Sequence, residues 1–187
     1  MKLTKVMLAM LAVVLLAIPA AAQAPAPAAD PIKTLVAEWQ RAKLGTQEYI
    51  DAMPDDGISS KPSPQIRSFA EQFLHVAAAN YMFAGAVAGV EPPYTGVVKE
   101  KNPEFMPQFK ESKAALREFV LGSYDYVIQT IQKLDAAKLN EEVSLFRFKM
   151  PRALMFNKAL EHHAHHRGQT TIYLRLKGVT PPSERLF

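Results

Sequence analysis

Apolar residues return every three or four positions in four long stretches of this chain, and proline and glycine break the intervals between them. In the first stretch, residues 31–53, Ile32, Leu35, Val36, Trp39, Ile50 and Met53 keep the helical period. Asp30-Pro31 supplies an N-cap and a proline at the first helical position. Gly45 is a weak point inside this helix, and Pro54-Asp55-Asp56-Gly57 ends it. In the second stretch, residues 64–89, Phe69, Phe73, Val76, Phe83 and Val87 form one apolar stripe. A second face carries Ser68, Gln72, His75, Ala79, Met82 and Ala86, and the small residues flanking His75 leave room beside it. Residues 90–108 hold five prolines and glycines and predict a long irregular connection that can cross a bundle.

The third stretch, residues 109–134, turns Leu116, Phe119, Val120, Ser123, Val127, Ile131 and Leu134 inward. Residues 135–149 form a second connection without an assigned element. The fourth stretch, residues 150–177, begins near Met150-Pro151, stops at Gly178 and is followed by Pro181-Pro182. No segment alternates with the period of a strand. Four helices of roughly 20–28 residues predict an all-α fold, a four-helix bundle with a long connection between its second and third helices.

The fourth helix brings chemistry into this picture. Four of the five histidines lie in Glu161-His162-His163-Ala164-His165-His166-Arg167-Gly168-Gln169, and the fifth is His75. On a helix, His162 and His166 stand about 40° apart around the axis and share a face. That spacing offers two imidazoles to one metal ion, and only His75 is left as a third ligand. His163 is rotated by about 100° from His162 and points elsewhere; His165, about 60° off the other way, competes as an i, i+3 partner. Three histidines and a water leave an open coordination position, which suits a catalytic ion. No carboxylate stands out as a general base, so a metal-bound water is the expected one. Gln169 and Tyr173 follow His166 on nearly the same face, placed to orient a substrate or simply to pack with a satisfied polar tip. Arg167 reads equally as a surface salt-bridge partner or a neighbour of the site, and Gly168 as a place of close helix approach. The plainer alternative for the cluster is a surface histidine tract that binds metal loosely.

Composition and the N-terminus narrow the setting. There is no cysteine, which excludes disulfides and thiolate ligands. Lys2 and Lys5, an apolar run over residues 6–18 and Pro19-Ala20-Ala21-Ala22-Gln23 read as a secretory signal peptide, residues 1–22. No stable membrane anchor is expected after cleavage, and the destination is periplasmic or extracellular. Residues 23–30 form an Ala/Pro linker, 31–182 the folded domain and 183–187 a tail. The formal charge of +4 falls to 4 − 2 = +2 when Lys2 and Lys5 leave, with no basic stripe to bind nucleic acid.

These motifs resemble the DinB-like (DinB/YfiT-like) superfamily of four-helix-bundle metalloproteins. The residues that carry the resemblance are His162-x-x-His165-His166-Arg167-Gly168-Gln169, Tyr173-Leu174-Arg175-Leu176-Lys177-Gly178-Val179 with Pro181-Pro182, and Arg67-Ser68-Phe69-x-x-x-x-Leu74-His75 with Pro92-Pro93. The resemblance implies one divalent ion, most often zinc or nickel, with iron or manganese as further options, held by His75, His162 and His166. It also implies homodimers, and an activity like that of thiol-dependent transferases or isomerases. The expectation is therefore an exported metalloprotein, a metal-dependent hydrolase or thiol-dependent transferase acting on an unidentified small molecule. The alternative is a non-catalytic helical bundle that binds metal or a partner.

Overall fold

The computed structural model describes residues 29–186. The signal peptide and all but the last two residues of the Ala/Pro linker lie outside them. Four helices make the fold: α1 (Pro31–Ala52), α2 (Phe69–Ala88), α3 (Lys113–Gln132) and α4 (Arg152–Leu176). α2 packs on both α3 and α4, and α1 packs chiefly on α3. Their inward faces bury Trp39, Ile50, Phe73, Leu116, Val127, Ile131, Phe156 and Leu174 almost completely. None of the described helices is long and apolar enough to cross a membrane.

The helix ends follow from local chemistry. The Asp30 carboxylate accepts from the backbone N–H of Ile32 at 2.9 Å and of Lys33 at 3.3 Å, so α1 starts at Pro31 as expected. α2 starts at Phe69, five residues later than the proline at 64 predicts. A reciprocal cap decides this: Glu71 N–H donates to Ser68 Oγ at 3.2 Å, and Ser68 N–H to Glu71 Oε2 at 2.8 Å. Pro64 instead sits in the turn before it. α3 likewise starts at Lys113 rather than 109, because Ser112 caps it and residues 107–109 form a separate 3₁₀ turn. Gly89 and Gly178 close α2 and α4 with φ of +69° and +73°, the left-handed conformation that glycine enters freely.

One expectation fails outright. Residues 142–151 contain strands, β1 (Glu142–Leu145) and β2 (Phe148–Pro151), paired antiparallel with Leu145 opposite Phe148. Val143, Leu145, Phe148 and Met150 do alternate or flank the turn, but four residues per strand are too few for the period to stand out. The hairpin leads directly into α4 and rests against α2 and α4.

Candidate metal centre

His75 lies in the second turn of α2, and His162 and His166 lie one turn apart in the middle of α4. Packing of α2 on α4 turns all three toward one point. Each offers a ring nitrogen, and the three atoms lie within 4.8 Å of one another. Ring centroids are 5.1 Å apart for His75–His162, 4.6 Å for His75–His166 and 4.5 Å for His162–His166.

Neighbouring groups fix which nitrogens remain free. His75 Nδ1 is 3.0 Å from Glu104 Oε1, and Arg67 Nε donates to Glu104 Oε2 at 2.7 Å. Burial pushes the Glu104 carboxyl up, but the hydrogen bonds from His75 and Arg67 outweigh it and hold its pKa below the usual carboxylate value. An ionised carboxylate only accepts, so His75 Nδ1 is the donor to Glu104 and Nε2 is the nitrogen left to face the cluster. His166 Nδ1 is 2.9 Å from Gln72 Oε1. The Gln72 amide is oriented by its own donations, from Nε2 to Gln169 Oε1 at 2.9 Å and to Tyr173 Oη at 3.3 Å. Tyr173 Oη in turn donates to the Arg67 carbonyl at 2.6 Å. The chain of donors ends on backbone, which sets Gln72 Oε1 toward His166 and frees His166 Nε2. His162 Nε2 is buried with no hydrogen-bond partner. A buried imidazole nitrogen without a partner is costly unless something fills it. The donor set of three imidazole nitrogens therefore fits a borderline divalent ion.

Burial keeps the two α4 histidines of the site neutral. Burial first, then the neighbouring His75 and His165, push His162 down to about 4. Burial, then His75 and His162, push His166 down to about 3. Neutral rings are the form that binds metal.

The remaining sequence-predicted residues divide clearly. His165 is exposed and lies outside the three-nitrogen cluster; its Nε2 meets Gln169 Nε2 at 2.8 Å. Gln169 and Tyr173 do not reach the cluster directly but hold Gln72, which holds His166. His163 points away, as its rotation predicts, and is 3% exposed between Trp39 and Tyr124. Arg167 turns to α1, with Nη1 3.4 Å from the Ala42 carbonyl. The expected close approach at Gly168 is not there: a side chain would meet open space. The approach is at Gly45, where a Cβ would come within 2.7 Å of Arg167 Nη1.

Glu104 is the residue that sequence reasoning missed. It sits in a 3₁₀ turn, Pro103–Phe105, whose N-cap Asn102 accepts from Glu104 N–H at 3.0 Å. Asn-Pro at the head of a turn is a legible local signal. Nothing in the sequence says that this turn lies over His75.

Comparison with known proteins identifies the family and the fold. The model of the DinB family matches residues 28–185. YjoA of Bacillus subtilis (strain 168), an uncharacterized protein, is 24% identical over 139 residues, covering 72% of this chain and 83% of YjoA. Among solved structures, a DinB-like protein from Bacillus cereus ATCC 10987 superposes with a TM-score of 0.66 at 19% identity, over 82% of this chain and 97% of its own. The crystal structure of YjoA gives 0.58 at 21% identity, over 82% and 96%. A conserved protein of Enterococcus faecalis gives 0.61 at 16% identity, over 77% and 95%. These structures share the fold, and the match over nearly the whole described chain places the protein in the DinB family.

Proposed function

We propose that this chain is an exported metalloprotein in which His75, His162 and His166 hold one divalent ion for hydrolytic or group-transfer chemistry on a small molecule. The observation that carries the proposal is the convergence of three imidazole nitrogens within 4.8 Å, two of them with the opposite ring nitrogen committed to Glu104 and Gln72. Zinc and nickel suit this set best, and iron or manganese fit less well without a carboxylate ligand. When bound, such an ion supplies Lewis acidity to a water, a thiol or a carbonyl at its open position. The chain's own contribution is orientation. Glu104 and Gln72 fix the tautomers of His75 and His166, and burial keeps His162 and His166 unprotonated. A cavity of about 310 Å³ opens onto His75 and His162, which favours small-molecule access over a closed storage site.

The test expresses the full chain with its leader and without a tag. Mature protein beginning at Gln23 with about one ion per chain supports the proposal, as does loss of that ion in each of His75→Ala, His162→Ala and His166→Ala. Unchanged metal content in His75→Ala would refute the three-histidine site.

A further inference from the structure

The β1–β2 hairpin carries an aromatic residue at a conformational cost that packing does not offset. Phe146 opens the two-residue turn with φ +54°, a region that bulky side chains avoid. Among the described residues it is the sole non-glycine with positive φ. Phe146 is 64% exposed, so the core does not hold it there. Backbone strain persists where the surroundings or the function require it.

Phe146 and Phe83 line two adjoining cavities. One, of about 310 Å³, has His75 and His162 in its wall. The other, of about 330 Å³, runs outward along Leu145, Phe148, Met150 and Met155, with Lys158 as its one charged neighbour. Phe148, at 53% exposure, is also unspent in the core. The two cavities make a trough that begins at the histidines and becomes apolar away from them. Apolar surface of this kind, left open beside a polar centre, is the ordinary composition of a small-molecule site.

We propose that this trough is a subsite for the apolar body of the substrate. The ligand class is a small molecule with an oxygen, nitrogen or sulfur donor at one end, presented to the three histidines, and an alkyl or aryl body lying along Phe146 and Phe148. The assignment rests on the metal reading of His75, His162 and His166, and the experiment separates the two.

Zinc-loaded full-length mature protein is titrated by calorimetry with acetohydroxamate, hexanohydroxamate and octanohydroxamate. Each buried methylene tightens binding by roughly fourfold, so octanohydroxamate binds at least about tenfold more tightly than acetohydroxamate. Phe146→Gly and Phe146→Asn accept the left-handed turn, so their unfolding midpoints hold or rise. They lose the dependence on chain length and keep the acetohydroxamate affinity; Phe148→Ser does the same for affinity. Equal affinity across the series in the parent protein overturns the subsite and leaves the metal site standing. Failure to load zinc overturns both. Chain-length dependence that survives in Phe146→Gly and Phe148→Ser, or equal losses for short and long ligands, overturns the assignment to the trough.

Discussion

Glu104 and Gln72 determine what the three histidines can do. An imidazole offers its lone pair on one nitrogen only when the other is held as a donor, and groups that hold it raise the basicity of the ligand. Glu104 is the stronger of the two, because it is ionised and is itself held by Arg67. Replacing it by alanine leaves His75 free to rotate and to exchange tautomers. Glu104→Ala is expected to weaken zinc about 10- to 100-fold with the fold intact, measured by competition with a chelator and by circular dichroism. Affinity within twofold of the parent would remove Glu104 from the site. The histidines were legible because a helix converts spacing into direction: His162 and His166 came out on one face and His163 off it. Glu104 was not, because a proline-rich connection has no period and its path is set by packing. Gly168 shows a related limit. Sequence marks a small residue but not whether a neighbour stands opposite it.

At the scale of elements, caps located helices better than proline did. Pro64 marks where a helix can begin, whereas Ser68 and Glu71 satisfy two otherwise orphaned backbone N–H groups and determine where α2 does begin. The cap matters to the site. Arg67, immediately before Ser68, sends its side chain to Glu104 and its carbonyl to Tyr173, and Gln72 is one turn beyond. Ser68 is 2% exposed, so water cannot replace its hydroxyl easily. Ser68→Ala is expected to cost about 1–2 kcal/mol in urea unfolding, at the upper end for a cap, while Ser68→Asp, which keeps an acceptor, costs less. Equal losses in the two variants would mean that space, not the cap, limits this position. The inward faces of all four helices were readable because each repeats its pattern over five or more turns. The hairpin was not, since two strands of four residues hold too few repeats to separate from a loop.

At the scale of the molecule, the buried histidines tie stability to pH. His162 is pushed down to about 4, and His163 and His166 to about 3, in each case chiefly by burial. In the unfolded chain such rings titrate near 6.5. Above that value they are neutral in both states and contribute no slope. Between about 6.5 and 3–4 the unfolded chain takes up protons that the folded chain refuses, so stability falls as pH falls. Below about 3 the folded rings titrate too, and the slope from them ends. Glu71 and Glu104, held below the ordinary carboxylate value of 4.5, add loss in the same direction as pH falls below that value. The metal-free protein should therefore show a flat unfolding midpoint from pH 8 to about 6.5 and a steady decline below it. Zinc at a hundredfold excess over its dissociation constant adds about 2.7 kcal/mol at neutral pH, and this increment shrinks in acid as protons compete for the same nitrogens. His163 distinguishes the two effects. It lies in the core between Trp39 and Tyr124, with both ring nitrogens unpartnered, away from the three-nitrogen cluster. His163→Leu should make the acid decline shallower by the same amount with and without zinc, whereas His166→Ala should abolish the zinc increment. Unfolding midpoints at pH 7.5, 6.0 and 5.0, with and without zinc, read both. A parent midpoint that does not move between pH 7.5 and 5.0 would show that the folded protein opens to let these rings take up protons, and would contradict the packed core around His163.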